Sequence, residues 1–179
     1  EATLREINKD KDVPIEAIDL PLLRMFYSII LSDFEQNTKK LGKNEMIKTP
    51  FLAVDGIIKL YDENENFQGI VLIERLNRPL GVAIPGGFVD IGETVENAVV
   101  REMKEEISLD VSIESLLGVY SDPARDERFH TASVVYVCKA YGKPIAQDDA
   151  KEVYVYKLDE IPLEKLVFDH KKIIFSRTF

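Results

Sequence analysis

The sequence predicts an α/β domain of the α+β type, built on a mixed sheet, with a helix added at its N-terminus. Strand-like segments occur both before and after one central helix, and no regular β–α–β repeat connects them. A chain of 179 residues with 45% hydrophobic residues is long enough to bury one sizeable core. We therefore expect an arm and an amphipathic helix in residues 1–45 and one compact domain in residues 46–179.

The first segment predicts one amphipathic helix after a charged arm. Asp19 and Pro21 are typical of a helix start, and Gly42 lies just beyond the predicted end. The apolar residues between them follow helical spacing: Leu22, Phe26, Ile29, Ile30 and Phe34. Because the apolar face of such a helix must be buried, we expect the helix to pack either on the domain's own core or on a partner subunit.

From Thr49 onward the pattern changes to that of strands. Phe51–Tyr61 alternates, a turn-rich break follows at Asp62–Asn66, and Gly69–Glu74 predicts the returning strand of a hairpin. Four further strands are predicted at Val82–Ile84, Leu116–Tyr120, Thr131–Tyr141 and Val153–Lys157. The chain closes with Leu163–Phe179, which predicts a helix from about Asp169.

The central helix follows a glycine-rich turn at Pro85–Gly87 and carries three crowded carboxylates. At about 100° per residue, Glu102, Glu105 and Glu106 fall within roughly a third of the helix circumference. Like charges at this spacing repel each other. The cluster is therefore either a solvated acidic face or a site for a divalent cation that prefers hard oxygen ligands, such as Mg²⁺.

Residues 87–109 resemble the Nudix box, written G-x5-E-x7-R-E-U-x-E-E-x-G-U with U an apolar residue. The matching positions are Gly87, Glu93, Arg101, Glu102, Met103, Glu105, Glu106 and Leu109. Ser108 replaces the second glycine, at a helix end where a left-handed residue is favoured. The resemblance implies the Nudix-type α/β/α sandwich and metal-assisted hydrolysis of a diphosphate.

The same resemblance implies a set of metal ligands. Glu102, Glu106 and the backbone carbonyl of Gly86 would hold Mg²⁺, with Mn²⁺ as an alternative. Glu105 would complete this site or bridge a second ion. The expected cofactor is thus a divalent cation bound through oxygen.

Catalytic support is implied for other positions. Arg101 and Glu93 form an ion pair in the family that fixes the loop before the helix. The general base stays open between Glu105 and Glu152, because family members place it either in the box or in a loop after it.

A second motif narrows the expected substrate. Residues 120–136, YSDPARDERFHTASVVY, are similar to the Y-S-D-P-x-R-D-x-R-x-H stretch of ADP-ribose pyrophosphatases. Residues 81–90 resemble that group's G-W-A-L-P-G-G-F-V-D, with Val82 in place of tryptophan. The resemblance covers roughly residues 49–175 and implies cleavage of ADP-ribose to AMP and ribose 5-phosphate. The alternatives are NADH, FAD or a nucleotide sugar and, from a different class, a sensor that binds ADP-ribose without cleaving it.

Four residues are candidates for binding this substrate. Arg125 and Arg128 carry cationic forks suited to phosphate oxygens, or they pair with neighbouring acids and only hold their loop. His130 either contacts substrate, shuttles a proton or has a structural role, and a structural role is also what we expect of His170. Phe88 is expected beside the predicted metal site, where it would contact substrate or pack.

Composition limits the remaining classes. A net charge of −9 argues against a nucleic-acid surface, whereas a bound cation still permits an anionic small substrate. No apolar run approaches the length of a membrane span, and no signal-peptide pattern is present. Cys138 is the single cysteine and is expected in the core. We expect a cytoplasmic location, and by the family resemblance a homodimer.

Overall fold

The computed structural model describes residues 49–176, so the predicted N-terminal arm and helix lie outside the described residues. Residues 49–176 form seven strands, two α-helices and a short 3₁₀ helix at Leu163–Lys165. The strands are β1 (Phe51–Tyr61), β2 (Phe67–Arg75), β3 (Val82–Ala83), β4 (Gly86–Phe88), β5 (Val111–Tyr120), β6 (Thr131–Tyr141) and β7 (Ala150–Tyr156). The helices are α1 (Val95–Ile107) and α2 (His170–Phe175).

The sheet is mixed, and it forks between β1 and β2. The main strand order is β3-β2-β1-β6-β5, with β4 paired to β1 and β7 to β2. One half of β1, Ile58–Tyr61, pairs with β2, whereas Ala53–Asp55 pairs with β4. The far end of β2 pairs with β3 in turn. β3 and β4 therefore fill the gap where β1 and β2 separate.

One helix covers each face of this sheet. Successive side chains of a strand point to opposite faces, so the neighbours Ile57 and Ile58 belong to different cores. Ile58 packs in the cluster that contains Met103 of α1, and Ile57 packs in the cluster that contains Ile173 of α2. The mixed sheet and the α/β/α sandwich are thus confirmed.

Most predicted elements are present, with shifted bounds. The first strand has the predicted bounds, and the last helix begins at His170, one residue after the predicted start. β5 begins at Val111, five residues before the prediction, because bulges interrupt its alternation. The strand Gly86–Phe88 was not predicted, because a pair of glycines is typical of a turn.

Both ends of α1 are capped. The side chain of Thr94 accepts a hydrogen bond from the amide of Asn97 at 3.2 Å. At the other end Ser108 is left-handed, with φ 57° and ψ 25°, and its amide donates to the carbonyl of Lys104. Ser108 thus takes the conformation for which the family pattern places a glycine.

Among the helices of residues 49–176, none is both long enough and apolar enough to cross a bilayer.

Cys138 is buried, as its apolar context predicts. Burial raises the pKa of its thiol to about 12, which disfavours the reactive thiolate.

Candidate active site

A cleft of about 300 Å³ lies beside the fork of the sheet. Strands, the central helix and the loops before β6, β7 and α2 all contribute side chains to its lining. Its acidic residues are Asp55, Asp90, Glu102, Glu106, Asp126, Asp148 and Asp149. Its arginines are Arg75, Arg125 and Arg128, and His170 also lines it, so carboxylates and guanidinium groups share one small space.

Three of the predicted metal-binding residues, Gly86, Glu102 and Glu106, meet in this cleft. Glu102 and Glu106 both line it, and Glu106 is only 3% exposed. The Oε2 atom of Glu106 accepts a hydrogen bond from the amide of Gly86 at 2.9 Å. Burial raises the pKa of Glu106 to about 8; the Gly86 amide opposes this rise and the charge of Glu102 adds to it. The pair is therefore a crowded, desolvated arrangement that a cation would relieve.

The glycine pair of β4 lets the backbone approach these carboxylates. A Cβ atom on Gly87 would collide with the carboxyl group of Glu102, and one on Gly86 would collide with the carbonyl oxygen of Val54. The glycines are thus required by close packing between β4, α1 and β1. This contact fixes the distance between the glycine strand and the acidic face of the helix.

Arg101 connects α1 to the loop that precedes it. Its Nε and Nη2 atoms donate to the two carboxylate oxygens of Glu93 at 3.0 and 2.9 Å, a bidentate pair. Its Nη1 atom donates to Glu102 at 2.8 Å and to Glu105 at 2.9 Å. Nη2 also donates to the carbonyl of Phe88 at 3.0 Å. One guanidinium group thus holds the loop and orients a cleft carboxylate.

The two candidates for the general base lie outside the cleft lining. The side chain of Glu105 is 51% exposed and pairs with Arg101. Glu152 is on β7, opposite Glu74, and its carboxylate accepts a hydrogen bond from the hydroxyl of Tyr154. The structure does not bring these two carboxylates into the cleft beside Glu102 and Glu106.

The residues present suit a magnesium ion that keeps several waters rather than an ion enclosed entirely by protein ligands. Within residues 49–176, no group of three or more Asp, Glu, His and Cys side chains is arranged to bind a metal. Mg²⁺ usually keeps several waters and takes one or two carboxylates plus substrate phosphates. Glu102 and Glu106, both in the cleft, supply such a pair.

Arg125 lies at the back of the cleft in a buried polar network. It donates through Nε to Asp169 at 3.1 Å and through Nη1 to the hydroxyl of Thr131 at 3.2 Å. Its Nη2 atom lies 2.9 Å from Asp169 and 3.5 Å from Asp55, yet makes no hydrogen bond within the described residues. The hydroxyl of Ser133 also donates to Asp55. Asp55 and Asp169, rather than the neighbours in its own loop, pair with Arg125.

Arg128 is held by its own loop and still faces the cleft. It donates to both carboxylate oxygens of Asp126, at 3.0 and 2.8 Å, and to the carbonyl of Arg78 at 3.1 Å. Its guanidinium carbon lies 5.4 Å from the ring centroid of Phe168. The alternative that it pairs with a neighbouring acid is therefore observed, without removing it from the cleft.

Arg75 and Phe168 are cleft residues that the sequence analysis missed. Arg75 lies 5.2 Å from the Phe168 ring, and no carboxylate of residues 49–176 comes within 4.0 Å of its guanidinium nitrogens. Burial, and then the charge of Arg128, lower the pKa of Arg75 from its ordinary value. No local motif marks Arg75, because it ends an ordinary strand, so only the fold shows its place in the cleft.

The aromatic and histidine candidates separate into two groups. Phe88 lines the cleft, whereas His130 is exposed outside it, 3.2 Å from the carbonyl of Ser121. His170 is buried, and its Nδ1 atom accepts a hydrogen bond from the amide of Ile84 at 2.9 Å. In the neutral ring Nε2 then carries the hydrogen, and this nitrogen lies 3.9 Å from Oδ1 of Asp55. A structural role for His170 agrees with these contacts.

The fold and the acidic helix behind a glycine strand agree with the family comparison. The NUDIX domain family model matches residues 50–176. The chain therefore belongs to the Nudix family and is a Nudix hydrolase. The family resemblance inferred from residues 87–109 is confirmed.

Three relatives show which proteins of the family this chain is similar to. An ADP-ribose pyrophosphatase of Methanocaldococcus jannaschii is 49% identical over 139 residues, which are 76% of this chain and 78% of the relative. A bifunctional NMN adenylyltransferase/ADP-ribose pyrophosphatase from Francisella tularensis, solved with AMP and a manganese ion, is 25% identical with a TM-score of 0.60. That match covers 80% of this chain but only 45% of the bifunctional protein. A mutT/nudix family protein from Listeria innocua is 33% identical, with a TM-score of 0.58, over 71% of this chain and 91% of its own.

Proposed function

We propose that the protein is a Mg²⁺-dependent ADP-ribose pyrophosphatase that cleaves ADP-ribose to AMP and ribose 5-phosphate. The observation that carries the proposal is the cleft, which combines the Glu102–Glu106 pair with three arginines. Such a combination suits a diphosphate, whose oxygens bind both a cation and guanidinium groups. The 49% identity to an ADP-ribose pyrophosphatase supports the choice of substrate.

Glu102, Glu106 and the carbonyl of Gly86 are the proposed ligands of Mg²⁺ or Mn²⁺, and Glu105 is the proposed ligand of a second ion. When bound, a divalent cation would neutralise phosphate charge and lower the pKa of a bound water. Nudix hydrolases generally use divalent metals, and the manganese ion in the Francisella tularensis relative is consistent with that. Arg101 keeps Glu102 in place for this role.

The arginines provide the proposed contacts to the substrate phosphates. Arg75 lines the cleft, its Nε donates to the carbonyl of Pro79, and no carboxylate of residues 49–176 pairs with it; Arg128 lines the cleft while bonded to Asp126 and to the carbonyl of Arg78. Arg125 is more enclosed, so its proposed contribution is the charge behind the phosphates. Phe88 is the proposed contact to the substrate beside the metal site. His130, which lies outside the cleft, is the proposed contact to the part of the substrate that extends beyond the cleft.

The general base is proposed to be Glu105 or Glu152, and a pair of variants distinguishes them. We expect Glu105→Gln to lower kcat by about 100-fold or more, in the range for general acid–base groups, and Glu152→Gln to keep full activity. A large loss in Glu152→Gln alone would instead assign the base to β7. Steady-state kinetics with ADP-ribose at several pH values make the comparison.

The first test of the function is turnover of a nucleotide panel with Mg²⁺ present or chelated. The panel contains ADP-ribose, NADH, FAD, UDP-glucose, a dinucleoside polyphosphate and an oxidised nucleoside triphosphate, with product analysis for each. Metal-dependent release of AMP from ADP-ribose, well above the other compounds, is the expected result. Preference for another compound would overturn the substrate, and binding of ADP-ribose without turnover would favour the sensor.

Two further expectations remain predictions about the whole protein. A homodimer would appear in sedimentation as a species of twice the chain mass, and a monomer at high concentration would contradict it. A cytoplasmic location is the expected setting for a small nucleotide substrate.

A further inference from the structure

Three exposed phenylalanines from different parts of the chain form an aromatic cluster beside the cleft. Phe51 begins β1, Phe88 ends β4, and Phe129 lies in the loop before β6. The ring centroids are 5.0 Å apart for Phe51 and Phe129, 5.8 Å for Phe51 and Phe88, and 6.0 Å for Phe88 and Phe129. Their exposed fractions are 56%, 46% and 37% in chain order.

Such a cluster calls for an explanation that a single exposed ring does not. Phenylalanine rings normally bury most of their surface in a core or an interface. Isolated apolar side chains on a surface are common, whereas a contiguous exposed patch marks a place where something binds. These three rings touch one another, although they belong to separate elements.

The aromatic cluster is continuous with the cleft. Phe51, Ala53 and Asp55 alternate along β1 and so point to the same face of the sheet, and the last two line the cleft. At about 3.3 Å per residue, the Cα atoms of Phe51 and Asp55 are roughly 13 Å apart. Phe88 pairs with Ala53 across the strands and itself lines the cleft.

A guanidinium group joins the two regions. Arg128 lines the cleft, and its guanidinium carbon lies 4.9 Å from the ring centroid of Phe129. A ligand that reaches from the cleft to the aromatic cluster therefore passes a cation before it meets apolar rings. A nucleotide has this order of groups, because its phosphates are anionic and its base presents a flat π-face.

We propose that the aromatic cluster is the subsite for the nucleobase of the substrate, with Phe51 as its principal stacking residue. The proposal rests on the proposed function in one respect, because it assumes that the substrate contains a nucleotide. Stacking on aromatic rings accepts any base, because every base has a π-face. The cluster thus contacts the nucleoside half of the substrate and makes no contact with the other half.

The test compares two ligands that differ in the base. AMP and ribose 5-phosphate are titrated into the full-length protein with Mg²⁺ present, by calorimetry. Phe51 is the residue to change, because Phe129 also contacts Arg128 and Phe88 lines the cleft. Phe51→Leu keeps an apolar side chain but removes the ring, and Phe51→Tyr restores a ring.

We expect Phe51→Leu to weaken AMP binding by about 10-fold, within the range measured for loss of base stacking, and to leave ribose 5-phosphate binding unchanged. Phe51→Tyr should bind AMP like the unchanged protein. The matched control is Phe175→Leu, because Phe175 is 60% exposed and does not line the cleft. Binding of AMP should be unaffected in this control.

Three results would overturn the proposal. They are wild-type affinity of Phe51→Leu for AMP, equal weakening of both ligands, and a changed sedimentation coefficient in Phe51→Leu, which would assign the cluster to contact between copies of the chain. Failure of the proposed function is a separate outcome. If ADP-ribose is not hydrolysed but Phe51→Leu selectively loses AMP, the base subsite stands and the reaction is wrong.

Discussion

Glu106 combines three properties that rarely occur together in one carboxylate: it is almost fully buried, it faces another acid, and it lines an open cleft. Replacing it with glutamine removes the charge and keeps an oxygen that accepts the amide of Gly86. We therefore expect Glu106→Gln to fold and to lose at least about 100-fold in kcat/KM. Steady-state kinetics with ADP-ribose and Mg²⁺ measure the loss.

The control for this variant lies on the same helix. Glu96 accepts a hydrogen bond from the hydroxyl of Tyr136 at 3.1 Å and does not line the cleft. Glu96→Gln keeps an acceptor for that hydroxyl, so its kcat/KM should stay near that of the unchanged protein. Near-normal turnover in Glu106→Gln would remove Glu106 from the proposed metal site.

We expect His170 to make the stability of the domain depend on pH. Burial lowers the pKa of His170 from its ordinary value of 6.5, against the opposing charge of Asp55. The unfolded chain therefore binds more protons than the folded chain below about pH 6.5, and the free energy of unfolding falls as the pH falls through that window. His170→Asn retains an acceptor for the amide of Ile84 and should flatten this dependence.

Urea unfolding at about pH 7.5 and about pH 5.5 measures this difference for each protein. The second histidine provides a matched control, because His130 lies in an exposed loop. His130→Asn should retain the loss of stability at the lower pH. If His170→Asn loses as much stability as the unchanged protein over this range, the dependence belongs to other groups.

At the scale of elements, the end of α1 carries a local strain. Ser108 has φ 57° and ψ 25°, a conformation that is unfavourable for a residue with a Cβ atom. Ser108→Gly should raise the free energy of unfolding by about 1 kcal/mol or less, because glycine's larger unfolded-state entropy offsets part of the gain. Urea titration gives the change, and the activity should remain the same.

A second serine in a strand distinguishes relief of strain from a general effect of glycine. Ser115 is an exposed residue of β5. Ser115→Gly should lower the stability by about 0.5–1 kcal/mol, the usual cost of glycine in a strand. A loss of stability in both variants would contradict the interpretation of Ser108.

At the scale of the whole molecule, a bound cation should stabilise the fold. Glu102 and Glu106 repel each other in a partly desolvated cleft, and burial raises both pKa values. Mg²⁺ at about 100 times its Kd should add about 2.7 kcal/mol to the free energy of unfolding, because it binds the folded state. Thermal unfolding with Mg²⁺ or a chelator measures the shift, which should be absent in Glu106→Gln. An equal shift in that variant would contradict the assignment.

The sequence predicts the parts of this molecule that depend on local spacing. The acidic face of α1 follows from residues that are three and four apart, and β1 follows from alternation, so both could be inferred without the fold. Arg75, Asp55 and Phe168 enter the cleft from separate elements, through the fork of the sheet and the parallel pairing of β1 with β6. Local patterns do not encode such contacts, so these residues were missed.

The loop before β7 is tied to the C-terminal end of α1. The amides of Ile145 and Gln147 donate to the carbonyls of Ile107 and Glu106 at 3.0 and 2.9 Å, and Asp148 and Asp149 of the same loop line the cleft. Lengthening this loop would therefore disturb the helix that carries the acidic pair. The backbone of the turn at residues 62–66 is bonded within the turn, and its contact with β6 is made by the side chain of Glu65, to Lys139 and Tyr141, so it imposes a weaker constraint. Related sequences should accumulate insertions at that turn and keep a constant length between α1 and β7.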